Sequence, residues 1–117
     1  MNRLKLNEYQ KISKRTLPER GNLLEKKWAL ANYSLGLVEE SGECGGHIKK
    51  HAFHGHELNV EEVKNELGDV LHYAAGLATM CGLSLESIAN GNIAKLQRRY
   101  PKGFSREASI ERVDIKN

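Results

Sequence analysis

The sequence predicts an all-α protein. Apolar residues recur at steps of three and four along several long segments, which is the spacing of one face of a helix. No segment alternates apolar and polar residues for long, so the signals for strands are nearly absent. The chain contains two prolines, Pro18 and Pro101, and they bracket the region with the helical pattern. We therefore expect helices joined by short connections.

Capping and stop signals place the first two helices. A short polar helix is predicted over residues 7–15, ahead of Pro18. A long helix is predicted to begin near Asn22, a suitable N-cap because Glu25 occupies the capping-box position. This helix is expected to end in a connector at 51–59.

The second half of the chain contains two further helices. Asn59 is expected to cap a helix that runs to about Cys81, and Ser84 to cap a last helix that Pro101 ends. Residues 102–117 carry little pattern and are expected to form an extended arm or a frayed tail.

The long helix has an unusually wide apolar surface, and a surface of this kind contacts more than one neighbour. We therefore expect the chain to form a dimer. One stripe has the four-and-three spacing of a helix–helix seam, and it comprises Leu24, Trp28, Ala31, Leu35 and Val38. On the last helix, the residues expected to face the core are Leu85, Ala89, Ile93 and Leu96.

Four glycines, Gly36, Gly42, Gly45 and Gly46, are unfavourable in this helix, because each costs up to about 1 kcal/mol relative to alanine in a helix interior. They indicate one of two things. Either the helix is interrupted near residues 45–46, or space is needed there for another backbone or a ligand.

The composition is that of a single globular domain of 117 residues, with its core at about 22–105 and a C-terminal tail. A net charge of +3 is too small to indicate stable nucleic-acid binding. No apolar run approaches the roughly 18 residues of a membrane span, and the N-terminus lacks a signal-peptide core. We therefore expect no membrane association and a cytoplasmic location. Cys44 and Cys81 are expected to be reduced, buried thiols.

Two acidic pairs have the spacing i, i+3: Glu40 with Glu43, and Glu66 with Asp69. On a helix, this spacing places both carboxylates on one side. Apolar residues share the arc of each pair, so the acids are expected to point towards the core of an antiparallel, pseudo-symmetric helix pair. The polar arc of the second helix lies opposite its acids and comprises Lys64, Gly68, His72 and Thr79.

Like charges buried together repel unless a cation lies between them, and neither segment places Lys or Arg on the acidic arc. All-carboxylate ligation suits Mg²⁺ or Mn²⁺ better than Zn²⁺. We therefore interpret Glu40, Glu43, Glu66 and Asp69 as a metal cage. The alternative is a set of solvated acids on helix surfaces.

Three further sets of polar residues have open interpretations. Glu39 could orient a water molecule or be an exposed acid. His47, His51, His54 and His56 could suggest zinc, but their loose spacing without cysteine favours ordinary connector histidines. Asn92, Lys95 and Arg99 form a stripe on the last helix. Alone, such a stripe is a solvated face; beside a metal cage it is a candidate phosphate clamp.

With these segments in place, the chain resembles the MazG-like nucleotide pyrophosphohydrolases. Their EExxE…ExxD signature matches Glu39-Glu40-Ser41-Gly42-Glu43 and Glu66-Leu67-Gly68-Asp69. The segment NIAKLQRRYPKGFS at 92–105 is similar to the basic helix and turn that follow the signature. The resemblance covers roughly residues 22–105.

The resemblance implies a four-helix fold completed by assembly into a dimer or tetramer. It also implies Mg²⁺-dependent hydrolysis of a nucleoside triphosphate to the monophosphate and pyrophosphate, in nucleotide-pool housecleaning, with Mn²⁺ as a substitute. By position, Glu40, Glu43, Glu66 and Asp69 would ligate the metal, and Glu39 would support the attacking water. Contacts to phosphate or sugar would come from Asn92, Lys95, Arg99 and Tyr100.

Two other classes of protein compete with this interpretation. A di-iron carboxylate bundle also buries acids between helices, but it expects Glu-x-x-His pairs, whereas this chain has Glu-x-x-Glu and Glu-x-x-Asp. A non-catalytic dimerisation or regulatory module could bind a structural divalent cation with the same acids.

Trp28 and Tyr33 could recognise a base or could belong to the core.

Overall fold

A computed structural model describes residues 3–17 and 23–115, except for the side chains of residues 23–25. Every regular element in these residues is helical, which confirms the all-α prediction. The elements are α1 (Leu6–Ser13), a 3₁₀ turn (Lys14–Thr16), α2 (Leu23–Phe53), α3 (Val60–Met80), α4 (Leu85–Arg99) and α5 (Arg106–Glu111). The N-cap predicted at Asn22 and the side chain of Glu25 lie outside the described residues.

The caps predicted for α3 and α4 are present. The side chain of Asn59 accepts a hydrogen bond from the backbone N–H of Glu62 at 3.1 Å. Ser84 Oγ accepts one from the N–H of Ser87 at 3.0 Å. Gly82, which follows α3, has a φ of 71°, a conformation that glycine adopts without steric cost. Local sequence signals therefore define these boundaries.

The long helix α2 is continuous through Gly45 and Gly46, so the predicted interruption there is wrong, and it extends into the predicted connector as far as Phe53. No neighbouring atom lies within 4 Å of where a Cβ would stand at Gly42, Gly45 or Gly46. Among the described residues, therefore, no other backbone approaches these glycines. They leave open space along one side of the helix.

Helices α2 and α3 form the antiparallel pair that the acidic motifs predict. Tyr33 near the start of α2 lies against Gly76 near the end of α3, whereas His47 late in α2 contacts Glu62 early in α3. The two helices carry the same pattern of residues in opposite directions. In α2, steps of three, four and three residues lead from Tyr33 through Gly36 and Glu40 to Glu43. In α3, the same steps taken backwards along the chain lead from Gly76 through Tyr73 and Asp69 to Glu66.

Two tyrosine–glycine contacts set how closely these helices approach. The ring of Tyr33 lies over Gly76 of the opposite helix, and the ring of Tyr73 lies over Gly36. A Cβ at either glycine would overlap the ring that covers it. The two rings also meet edge to face, with centroids 5.1 Å apart. The helices are thus held together one turn away from the acidic residues.

The C-terminal half of the polar arc of α3 is covered by α1 and the 3₁₀ turn, whereas Lys64 and Gly68 are exposed. Gln10 donates hydrogen bonds to Thr79 Oγ1 at 3.1 Å and to the carbonyl of Leu83 at 2.8 Å. It also accepts one from the backbone N–H of Leu85 at 2.8 Å. The His72 ring lies 3.4 Å from Thr16 Oγ1. Helix α1 therefore connects α3 to the start of α4. The polar groups of His72 and Thr79 lie against residues of the 3₁₀ turn and of α1.

The core formed by the described residues is small. The buried apolar residues are Tyr33, Ala75, Ala78 and Leu85. Ile93 and Leu96 are exposed, so the prediction that they face the core is wrong. The reason is that α4 packs on α1 near its start and makes few contacts with α2 or α3.

The predicted seam on α2 faces outward in the single chain. Trp28, Leu35 and Val38 are 67%, 69% and 68% exposed, which leaves this stripe without a partner among the described residues.

The expectation of buried thiols is wrong for Cys81, which is exposed because α3 ends before it, whereas Cys44 is half-buried. Both are free thiols.

The expectation of an extended arm or frayed tail is also wrong. Ser105 Oγ accepts a hydrogen bond from the N–H of Ala108 at 3.0 Å and begins α5. Beyond α5, the carboxylate of Asp114 is fully buried and accepts hydrogen bonds from Arg99 at 2.8 and 2.9 Å. This bidentate pair ties the end of α4 to the segment after α5.

None of the helices in the described part of the chain combines the length and the apolar character needed to cross a bilayer.

Candidate metal centre

Three carboxylates converge between α2 and α3. Glu40 and Glu43 lie one turn apart on α2, and the antiparallel register brings Glu66 of α3 against both. One oxygen of each carboxylate lies within 4.8 Å of the other two. Three of the four acids predicted to form a cage are therefore assembled by the fold.

Two of the carboxylate oxygens in this cluster lack a hydrogen-bond partner. Glu40 and Glu66 each bury one oxygen, Oε2, that has no hydrogen-bond partner. The side chain of Glu66 is 17% exposed. A buried carboxylate oxygen without a donor is costly, and no Lys or Arg pairs with these acids in the described chain. A cation is the partner that this arrangement fits.

The protonation of the cluster agrees with this interpretation. Hydrogen bonding to Glu66, followed by burial and the charges of Glu43 and Asp69, raises the pKa of Glu40 to about 7. The pKa of Glu43 is also raised, chiefly by its contact with Glu66. Hydrogen bonds from Glu40 and Glu43 lower the pKa of Glu66. Without a cation, the carboxylates share a proton to reduce their mutual repulsion.

The donor set suits a hard divalent cation. Carboxylate oxygens are the ligands that Mg²⁺ and Mn²⁺ prefer. Mg²⁺ is commonly bound through a few carboxylates while it keeps several water molecules and contacts substrate phosphates. The cluster supplies three carboxylates, and two of them have a buried oxygen without a hydrogen-bond partner. It therefore suits binding of Mg²⁺ or Mn²⁺.

Asp69, the fourth predicted ligand, lies outside the cluster of three. It is exposed, as is Glu43, so the expectation that all four acids point towards the core is wrong for these two. The charge of Asp69 contributes to raising the pKa of Glu40 and of Tyr73, so it stands near the site. Glu39 is also exposed, and its charge contributes to raising the pKa of Glu43. The roles of Asp69 and Glu39 stay predictions.

His47 contacts the acids, although its sequence pattern grouped it with the connector histidines. Its Nδ1 lies 3.2 Å from Oε2 of Glu62, and its Nε2 lies 3.7 Å from Oε1 of Glu66. The sequence does contain a signal for this contact, because His47 lies one turn after Glu43 on the same arc of the helix. By contrast, His51 Nδ1 donates to the carbonyl of His56 at 2.8 Å and closes the connector.

A cleft of about 280 Å³ opens beside the carboxylates, and Gly46 of α2 forms part of its lining. The residues that line it are Glu43, Gly46, His47, Lys50 and Glu66. A cleft of about 300 Å³ between α1 and the end of α3 contains amides and lysines but no carboxylate, which makes it unsuitable for a metal ion.

The residues predicted to contact substrate on and after α4 do not line the cleft beside the acids. Asn92 and Lys95 are exposed. The guanidinium of Arg99 is engaged by Asp114, and it also lies 5.7 Å from the ring centroid of Tyr100. Hydrogen bonding to Ser109, and then to Arg99, lowers the pKa of Tyr100. Contact of these residues with substrate stays a prediction.

The MazG nucleotide pyrophosphohydrolase domain matches residues 29–104 of the chain, which include all the acids of this candidate site. The chain is also similar to the Gene 37 protein of Mycobacterium phage L5, with 33% identity over 78 residues. That alignment covers 63% of this chain and 68% of the phage protein. No solved structure matches the chain with significance.

Proposed function

We propose that this chain, which belongs to the MazG nucleotide pyrophosphohydrolase family, hydrolyses a nucleoside triphosphate to the monophosphate and pyrophosphate. Glu40, Glu43 and Glu66 would hold the required Mg²⁺ or Mn²⁺. The observation that carries the proposal is the pair of buried carboxylate oxygens without a partner in a cluster of three acids. Such a reaction would serve nucleotide-pool housecleaning.

The reaction adds water across the bond between the α- and β-phosphates. The oxygen of water joins one phosphorus, the bridging oxygen leaves with the other, and the protons of water are released to the products or to a base. A bound divalent cation supplies charge neutralisation to the phosphate oxygens. Glu39, an exposed acid adjoining the cluster, is proposed to orient the water and accept its proton.

The remaining groups are proposed to bind the substrate. Asp69 would complete the ligand set when the cation is present. Asn92 and Lys95 are exposed and therefore free to contact phosphate or sugar. Arg99 would have to exchange its pairing with Asp114 for one with phosphate, which makes it the least available of these groups.

The test is to incubate the protein with a panel of nucleoside and deoxynucleoside triphosphates plus Mg²⁺, and to measure pyrophosphate and monophosphate. Glu66→Gln should reduce turnover to background while the circular dichroism of the helices is unchanged, because the amide keeps the shape but not the charge. Glu61→Gln, an exposed acid on the same helix, is the matched control and should retain activity. Full activity of Glu66→Gln would refute the site.

Tight binding of Mg²⁺ without hydrolysis of any nucleotide in the panel would instead favour the non-catalytic module. The same acids would then hold a structural cation. The two functions are therefore separated by the appearance of pyrophosphate, not by cation binding.

Self-association is proposed as part of this function. Trp28, Leu35 and Val38 form an exposed apolar stripe on α2, and burial of such a stripe is the main driving force for association. A second copy of the chain presents the same stripe, so a two-fold interface would cover both.

A further inference from the structure

We propose that His47 is a positioning residue, which holds Glu66 so that the free oxygen of that carboxylate faces Glu40 and Glu43. The inference rests on the proposed function only in requiring that a divalent cation bind the three acids. It assigns a role to a side chain that lies outside the acidic motif.

The geometry places the His47 ring between two carboxylates of the neighbouring helix. Glu62 and Glu66 lie one turn apart on α3, and the ring contacts both: Nδ1 is 3.2 Å from Glu62 Oε2, and Nε2 is 3.7 Å from Glu66 Oε1. The ring is 27% exposed, so the neighbouring helices restrict its orientation. His47 therefore spans the interface between α2 and α3 at the edge of the cluster.

The two oxygens of Glu66 have different surroundings. Oε1 faces the imidazole, whereas Oε2 is buried and has no hydrogen-bond partner. The terminal torsion of a glutamate side chain has a broad, two-fold energy profile, so the carboxylate by itself has little preference between these orientations. The contact with His47 would hold Oε1 and leave Oε2 as the oxygen that is free to bind a cation.

The ring is in turn held by Glu62. Asn59 accepts a hydrogen bond from the backbone N–H of Glu62 at 3.1 Å, which fixes this residue in the first turn of α3. The resulting series of contacts runs from the helix cap through Glu62 and His47 to Glu66. Groups that orient a metal-binding carboxylate in this way commonly change metal affinity by about 10- to 100-fold when removed.

A simple surface ion pair would have a different effect. The Glu62 side chain is 53% exposed, and pairs of that kind contribute little to stability. If His47 only paired with Glu62, its removal would leave the affinity of the acids for a cation unchanged. Cation affinity, measured without nucleotide, therefore separates the two roles.

The experiment measures the Mn²⁺ dissociation constant from the electron paramagnetic resonance signal of free Mn²⁺, using the full chain. His47→Ala should raise this constant about tenfold, and His47→Gln should raise it less, because the amide can still donate to one carboxylate. His54→Ala, an exposed histidine of the connector, should leave it within about twofold, since its ring contacts His56 and not the acids.

Glu62→Ala tests the second contact. If Glu62 acts by holding the ring, the double variant of His47→Ala and Glu62→Ala should bind Mn²⁺ no more weakly than His47→Ala alone. Glu61→Ala is the matched control, because Glu61 is a neighbouring exposed acid of equal charge in the same helical turn. It should leave the dissociation constant nearly unchanged.

Unchanged Mn²⁺ affinity in a folded His47→Ala protein would overturn the inference, as would a parent protein that binds no Mn²⁺. Failure of the proposed function has a different signature: a parent protein that binds Mn²⁺ with dependence on His47, yet releases no pyrophosphate from any nucleotide. Where hydrolysis occurs, saturating Mg²⁺ should restore most of the kcat of His47→Ala. The apparent activation constant for Mg²⁺ should remain raised.

Discussion

At the scale of single residues, the proton shared by Glu40 and Glu66 determines how the cluster responds to pH and to cations. Each buries one oxygen that has no donor. Hydrogen bonding between the two carboxylates shifts their pKa values in opposite directions: the pKa of Glu40 is raised and that of Glu66 is lowered. A cation would displace the shared proton and restore both carboxylates to the charged form.

In protein treated with EDTA, the free energy of unfolding should fall as pH rises from about 4.5 to about 7. The reason is that the pKa of Glu40 is about 7 in the folded protein and 4.5 ordinarily, so the folded state holds a proton that the unfolded state has lost. This stabilising contribution is fully present below the ordinary pKa and is lost as pH passes the folded value. The lowered pKa of Glu66 acts in the opposite sense, at lower pH.

Urea unfolding at a series of pH values measures this effect. Glu40→Gln cannot titrate and should show a smaller decline than the parent. Glu61→Gln, which removes an exposed acid on α3, should keep the decline of the parent. Saturating Mg²⁺ should abolish it, because the cation replaces the proton. An equal decline in Glu40→Gln and in the parent would contradict the assignment.

At the scale of helices, the two tyrosine–glycine contacts fix the approach of α2 to α3. Tyr33 and Tyr73 each cover a glycine of the opposite helix, and their rings contact each other. The acids lie one to two turns further along the same faces. The distance between the carboxylates of the two helices therefore depends on residues that have no charge.

Gly76→Ala should destabilise the protein by about 1–3 kcal/mol, because the added methyl group would overlap the ring of Tyr33 and force the helices apart. Gly68→Ala on the same helix is the matched control. Its site is open, so alanine should stabilise the helix by up to about 1 kcal/mol. Thermal and urea unfolding give both values. Equal effects of the two substitutions would show that the ring does not rest on Gly76.

At the scale of the whole molecule, the single chain is loosely packed and has little core. Its radius of gyration is 17.5 Å, whereas a compact domain of this length has about 13 Å. The buried apolar residues found among those described are few, and two of the four are alanines. An apolar stripe on the longest helix stays in contact with water. These features support the proposal that the chain is completed by association.

Light scattering during gel filtration should give at least twice the chain mass of 13.1 kDa. Leu35→Glu should shift the protein towards the monomer, because a charge would have to be buried in the apolar interface. Leu35 is 69% exposed in the single chain, so the substitution does not disturb the fold of that chain. Ser87→Glu, at an exposed position in the first turn of α4, is the control. A parent protein of monomer mass would contradict the proposal.

The sequence by itself determined the starts of α3 and α4 and the spacing of the acidic pairs. Asn59 and Ser84 begin α3 and α4 through bonds to residues three positions away, and Gly82 follows the end of α3. The spacing of Glu40 and Glu43 depends only on the geometry of one helix. These are local relationships, which apolar periodicity and capping residues encode directly.

The tertiary structure decided which side chains meet, because that depends on the register between helices distant in sequence. It grouped Glu66 with Glu40 and Glu43 while leaving Asp69 outside. It also placed His47 against Glu66 and joined Arg99 to Asp114. The apolar pattern of a helix predicts which of its side chains lie on one face. The tyrosine–glycine contacts between α2 and α3 determine which residues of the other helix that face contacts.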